Sequence, residues 1–248
     1  CKTQIYNTYY IMKLLHISDT HTYHDLLQIP KDIDIIVHSG DCSNPMNKIE
    51  SYKEIMNFIE WYKGLDVKHK IYVAGNHDSA IESNTLGIKD DFAMAGIIYL
   101  ENDFVELEGL KIFGSPLTPS FGQWSFMKDR SKLDGYWKNI PDDTDILIVH
   151  GPPKGIMDFS YARDGKLESC GCKSLRNHVL SRIKPKLFLS GHIHNCEDIV
   201  NAGVLKLSSH NTWFSNGSVV TDGKFGKLSS QGNLFEIDEN NNIIPLSL

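Results

Sequence analysis

Five stretches of this sequence place metal-binding side chains directly after an apolar run. LLHIS leads into Asp19-Thr20-His21, DIIVHS into Gly40-Asp41, and IYVA into Gly75-Asn76-His77-Asp78. DILIV leads into His150-Gly151-Pro152-Pro153, and LFLS into Gly191-His192-Ile193-His194. Two carboxylates, an amide oxygen and several imidazoles form a hard-to-borderline donor set with no thiolate. Such a set suits Mn²⁺, Fe or Zn²⁺ in a catalytic centre and does not suit a Cys-rich structural zinc site. Residues i and i+2 of an extended segment face the same side, so Asp19 with His21, and His192 with His194, can each grip an ion from one face. The count is enough for two ions sharing one carboxylate.

A blander reading exists for each cluster. Asn76-His77-Asp78 alone could be a strand-to-helix turn with Asp78 or Ser79 as the cap. A lone Asp-x-His is usually a turn or a surface pair. Five clusters, each behind a strand, favour chemistry.

The elements that must carry these clusters follow from periodicity. Residues 13–18, 33–38, 70–73, 145–149 and 186–190 are short, branched and apolar, as buried strands are. Residues 46–63 read as a helix, with Ile49, Tyr52, Met56 and Ile59 spaced by three and four. Residues 97–113 read as strands, including a hairpin in which FVEL and LKIF flank Glu108-Gly109. A Pro/Gly/aromatic loop fills 114–128, a helix 173–183, and GVLKL, NLFEI and NIIPL close the chain as β structure. Strand and helix alternate first and hairpins accumulate later, which predicts a layered α/β protein with two packed sheets and helices outside. Parallel strands gather their sites at their carboxyl ends, so the five clusters can meet in one crevice. With no repeat or low-complexity linker, residues 12–248 read as one domain. Met12 opens the first strand, and residues 1–11 read as an extension or expression remnant.

A net charge of −6 argues against a duplex or an anionic membrane as partner. It does not exclude an anionic small molecule, because bound cations reverse the field of an acidic pocket. No run approaches the ~18 apolar residues of a membrane span. Five cysteines, an odd and scattered set, do not form a disulfide framework, and a cytoplasmic location is expected. Cys170-Gly171-Cys172 reads as packed or loop thiols.

In this order the clusters resemble the signature of the calcineurin-like metallophosphoesterases, from Asp19 to His194. Within that superfamily the chain is similar to the metallophosphoesterase-domain-containing type, through GSPLTPSFGQWSFM (114–127), HGPPKGIMD (150–158), GCKSL (171–175) and FSNGSVV (214–220). The resemblance implies a four-layer α-β-β-α sandwich of two packed mixed sheets flanked by helices. It implies two divalent ions, manganese first, with Fe or Zn as alternatives. Asp19, His21 and His194 would hold one ion, Asn76, His150 and His192 the other, and Asp41 would bridge them. His77 matches the histidine near the leaving group, and Asp78 the residue that orients it. Asn195 departs from the usual glutamate after the last histidine, and Cys42 occupies a variable position; neither change removes a ligand.

The implied reaction is in-line hydrolysis of a small phosphodiester by water activated between the ions, with His77 as general acid. Cyclic nucleotides are the substrates the resemblance points to. A phosphomonoesterase or nuclease could use the same core, although the acidic balance disfavours nucleic acid. A catalytically weak nucleotide-binding or scaffold protein is the non-enzyme alternative. No protein partner can be inferred.

Other residues are weighed and set aside. His16 and His38 are expected as satisfied core histidines, and His24, His69 and His178 as surface residues. His210 is left without a role. Trp124, Phe121 and Phe126 are more often packing anchors than stacking platforms. Trp124 and Arg163 are the candidates for substrate contact.

Overall fold

The computed structural model describes residues 11–162, 164–196, 198–223 and 226–247. Residues 1–10 of the expected extension, and Arg163, lie outside the described residues. Two six-stranded sheets organise the molecule. The first runs, in spatial order, Ile243–Leu246, Asn233–Ile237, Met12–Ile17, Ile35–His38, His69–Tyr72 and Ile97–Tyr99. The second runs Gly203–Lys206, Trp213–Asn216, Leu187–Ser190, Ile146–Val149, Leu110–Ser115 and Asp103–Leu107. Each sheet has four parallel strands with antiparallel pairing confined to its margins.

Side-chain alternation builds the layers. Leu14, Ile35, Val37 and Ile71 of the first sheet meet Ile112, Ile146, Ile148 and Leu189 of the second in one apolar layer. The alternate residues Leu15, Ile36, Tyr72, Leu147 and Phe188 face helices. A strand buried on both faces has no polar side to show water, which is why these runs read as continuous apolar sequence. Helix Lys48–Lys63 packs Ile55, Phe58, Ile59 and Tyr62 inward, and Tyr62 Oη donates to the Ile36 and Ile71 carbonyls. Asn47 caps this helix by accepting from the Ile49 and Glu50 amides, so it begins at Lys48, two residues after the expected start at 46. The four-layer α/β expectation is therefore what the chain forms.

Differences lie where tertiary contacts decide. The stretch 114–128 contains a two-residue strand pair, Thr118–Pro119 with Met127–Lys128. Helix Arg130–Trp137, strand Trp213–Asn216 and the strand pair Phe159–Tyr161 with Leu167–Ser169 went unanticipated because their patterns are short or half-polar. The helix expected over 173–183 is α-helical through Lys173–His178 and continues as a π turn.

His24 is not a surface residue. It is fully buried, Nε2 pairs with Asn57 Oδ1 at 2.9 Å, and its ring lies edge-on to Phe58. The turn that carries it packs onto helix Lys48–Lys63, which no local pattern reveals. His16 and His38 are buried and paired as expected. His16 bridges Ser215 and Ser39, and His38 joins Thr20 and the Gly40 amide.

Candidate metal centre

The five clusters follow the carboxyl ends of Met12–Ile17, Ile35–His38, His69–Tyr72, Ile146–Val149 and Leu187–Ser190, three strands of one sheet and two of the other. Packing the sheets face to face brings their loops to one edge. Among the described residues, three groups offer ligand atoms within 4.8 Å of one another: Asp19-His21-His194, His21-Asp41-His77 and Asp41-His150-His192. His21 and Asp41 each belong to two groups, so the clusters are contiguous.

Hydrogen bonds set the direction of each side chain. His150 Nδ1 donates to the Ser39 carbonyl at 2.8 Å, which turns Nε2 toward Asn76 Oδ1 at 3.1 Å and Asp41 Oδ2 at 3.3 Å. Asp19 is buried, accepts from Ser218 Oγ and the His192 amide at 2.9 Å, and lies 3.0 Å from His194 Nε2. Asp41 Oδ1 accepts from the His77 amide at 2.7 Å. Two glycines make room for the carboxylates: a Cβ at Gly191 would overlap Asp19, and one at Gly75 would overlap Asp41. The backbone is strained here. Asp19, His21, Asp41 and His192 have φ values of 51°, 41°, 59° and 69°, in a region non-glycine residues seldom occupy. Such strain concentrates where function over-determines conformation.

The two buried carboxylates dominate the electrostatics. Burial works against charge on His150, yet Asp41 and its hydrogen bond drive the imidazole up to about 9. Burial likewise opposes charge on His194, and Asp19 overcomes it, raising that group too. His192 is pushed down to about 3 by burial and by the charge on His150, and His21 to about 4 by burial against the pull of Asp41. The cavity thus attracts positive charge. Divalent ions would replace the protons on His150 and His194, since a ligating imidazole must be neutral. His21 Nδ1 is buried with no hydrogen-bond partner, a polar atom that a cation would satisfy. The donor set and its field fit a metal centre.

Asp78 requires a correction. It does not stand behind His77. Its carboxylate accepts from the amides of Gly75 at 2.8 Å, Asp41 at 3.0 Å and Ser43 at 3.2 Å, and from Tyr72 Oη at 2.6 Å. Burial and the nearby Asp41 raise its pKa. His77 instead donates from Nδ1 to the Asn44 carbonyl at 2.8 Å. The turn into the short helix Ser79–Glu82 sends adjacent side chains opposite ways, His77 toward the cavity and Asp78 into the core. Nor does Asp78 cap that helix with its side chain.

Trp124 reaches the site, with its ring 4.2 Å from that of His77. Phe121 lies 5.3 Å from His192, whereas Phe126 is buried as packing. A cavity of about 510 Å³ beside the cluster is lined by Phe121, Trp124, Arg130, Phe159 and Tyr161 together with Asp41, Asn76, His77, His192 and His194. Sequence reading missed Arg130, Phe159 and Tyr161. Nothing in their local pattern marks them, because the strand pair that carries Phe159 and Tyr161 is recognised only once folded. Cys170 lines this cavity, whereas Cys172 is buried and accepts from Trp137 Nε1.

Residues 12–196 match the calcineurin-like phosphoesterase pattern. The chain belongs to that family. Calcineurin-like phosphoesterases hydrolyse phosphoric esters at a centre of two divalent ions. Human metallophosphoesterase domain-containing protein 1 is 32 % identical over 227 residues, covering 83 % of this chain, which spans 65 % of the length of that relative. The Caenorhabditis elegans UPF0046 protein C25E10.12 is 34 % identical over 208 residues, covering 77 % of this chain and 72 % of its own. A crystal structure with 17 % sequence identity superposes over 96 % of this chain and 99 % of its own with a TM-score of 0.66, a likeness of fold. Among the described residues no helix is long and apolar enough to cross a membrane.

Proposed function

We propose that this protein is a dinuclear-metal phosphodiesterase that hydrolyses small phosphodiesters, cyclic nucleotides among them. One observation carries the reading: three interlinked groups of ligand atoms lie against an aromatic-lined cavity large enough for a nucleotide. Asp19, His21 and His194 would hold one ion, Asn76, His150 and His192 the other, with Asp41 between them. Mn²⁺ is the metal of first choice, with Fe and Zn²⁺ next, for a donor set of oxygens and imidazoles. Such ions, when bound, polarise the phosphate and make water nucleophilic at neutral pH.

The chain's own groups do the rest. Donation from His77 Nδ1 to Asn44 leaves Nε2 to protonate the departing oxygen. Trp124 lies against the imidazole and restricts its rotation. Phe121, Trp124, Phe159 and Tyr161 offer flat apolar faces of the kind on which a nucleobase stacks. Cys42, Cys170, Cys172 and Cys196 are free thiols, which suits a reducing compartment such as the cytoplasm.

The test is an assay of Mn²⁺-reconstituted protein on bis-p-nitrophenyl phosphate, p-nitrophenyl phosphate, 2′,3′- and 3′,5′-cyclic nucleotides and short RNA, with metal content measured alongside. Turnover of diesters and cyclic nucleotides is expected, and Asp41→Ala should lose both metal and activity. An active Asp41→Ala protein with unchanged metal content overturns the assignment. Bound metal with no turnover of any substrate supports a binding or scaffold role instead.

A further inference from the structure

The candidate centre opens into two cavities. His77, His194 and Asp222 line the aromatic cavity and also a second one of about 450 Å³. His77 stands at the divide: Trp124, which lines only the first, lies 4.2 Å from its ring, and His21, which lines only the second, meets it edge-on at 4.8 Å. The linings differ in chemistry. The rings of Phe121, Trp124, Phe159 and Tyr161 line only the first, whereas Thr22, Tyr23, Asn44 and Thr221, with hydroxyls and an amide, line only the second. Asp222 offers its carboxylate to both.

A phosphate with one ester arm, or a cyclic one, can fill only one cavity. A phosphate with two separate arms can fill both. We propose that the second cavity binds the alcohol arm of a linear phosphodiester, and that this alcohol carries hydroxyl groups, as glycerol or a sugar does. The inference rests on the phosphodiesterase reading above.

The polar groups retain capacity for such a ligand. Thr221 Oγ1 accepts from the Lys227 amide at 3.1 Å and keeps its proton to donate. Asn44 Nδ2 donates to the His21 carbonyl at 3.1 Å, so Oδ1 can accept. Asp222 Oδ1 accepts from the Gly223 amide at 2.7 Å, leaving Oδ2 as a second acceptor. Tyr23, 36 % exposed, presents a ring edge or face to the C–H surface of a polyol. In the reaction, water oxygen bonds to phosphorus as the bond from phosphorus to the alcohol oxygen breaks. The departing oxygen takes a proton from His77 Nε2, a proton of the attacking water restores it, and the products are a nucleotide monoester and a free polyol.

Three probes share one nucleotide: adenosine 5′-phosphate, its methyl ester and its glyceryl ester, incubated with the Mn²⁺-loaded chain and followed by chromatography. Two hydrogen bonds to the glyceryl arm should raise kcat/KM over the methyl ester by about tenfold or more. Thr221→Trp, which removes the Thr221 hydroxyl and narrows the second cavity, should bring the glyceryl-to-methyl ratio close to one. Tyr23→Ala tests the same ratio should Thr221→Trp fail to fold. Equal kcat/KM for the two esters, or a ratio unchanged in the folded variants, overturns the second-arm proposal and leaves the phosphodiesterase reading standing. No turnover of either ester or of bis-p-nitrophenyl phosphate by metal-loaded protein overturns both.

Discussion

His77 Nδ1 donates to the backbone carbonyl of Asn44 across 2.8 Å, and this bond, rather than any carboxylate, sets the tautomer and direction of the imidazole. A main-chain carbonyl orients the ring without the charge that a carboxylate would add. His77→Ala is therefore expected to keep its metal while kcat falls about 10²–10⁴-fold. The loss should be greatest for substrates with poor leaving groups. A plot of log kcat against leaving-group pKa checks this, and an equal loss across the series would exclude general-acid action.

Asp78 is expected to fail differently. Its carboxylate gathers the amides of Asp41, Ser43 and Gly75, so it holds the strained Asp41 turn in place from beneath. Removing it leaves several buried donors without partners, at a cost of about 3 kcal/mol or more. Asp78→Ala should lower the urea midpoint and the Mn²⁺ affinity together, and Asp78→Asn should fall between it and the parent protein. Chemical denaturation alongside metal titration measures both, and normal stability with lost activity would contradict a supporting role.

His16 makes stability sensitive to acid. Burial pushes its pKa from an ordinary 6.5 to about 3, against a smaller pull from Asp19. The unfolded chain takes up this proton near pH 6.5 and the folded chain only near 3, so between those values the unfolded state binds more protons. Stability is complete above 6.5 and falls as pH falls through that window. His16→Gln should remove about one proton from the pH dependence of metal-free unfolding between pH 6.5 and 4. Denaturation midpoints across that range, compared with the parent protein, read the difference. Parallel curves would mean that His16 does not carry it.

Asn201 ties the cavity wall to the centre. Nδ2 donates to the Phe159 carbonyl at 2.9 Å and to the His194 carbonyl at 3.0 Å, while Oδ1 accepts from the Phe159 amide at 3.1 Å. Its own amide donates to Asn195 Oδ1 at 2.7 Å, so Asn195 anchors this connection. Asn201→Ala should release the Phe159 strand, raising KM for nucleotide substrates about tenfold while affecting p-nitrophenyl phosphate less. Steady-state kinetics on the two substrates separate the effects. An equal loss on both would point to damage at His194 instead.

Local sequence was enough for the five clusters and the strands that precede them. Buried parallel strands need continuous apolar runs, and four of the five turns that follow carry glycine (Gly40, Gly75, Gly151 and Gly191), so both leave a mark in a few consecutive residues. Spacing paired Asp19 with His21, which do share a group, but left-handed turn backbone rather than an extended segment brings them together. His192 and His194, paired on the same ground, fall in different groups. The family resemblance assigned roles on top of that pattern.

Roles that depend on which way a side chain leaves its turn were not legible. Asp78 adjoins His77 in sequence, yet the turn sends one into the core and the other to the cavity, and Asn44 orients the ring from another loop. His24 is buried for a similar reason, because a distant helix covers it. The sequence by itself determined the donor set, the strands that carry it and the layered α/β class, all of which arise from local composition and period. Only the tertiary structure decided that Phe159, Tyr161 and Arg130 share a cavity with Trp124 and that His77 stands between two cavities. Those relationships arise from loops that meet only after the two sheets have packed.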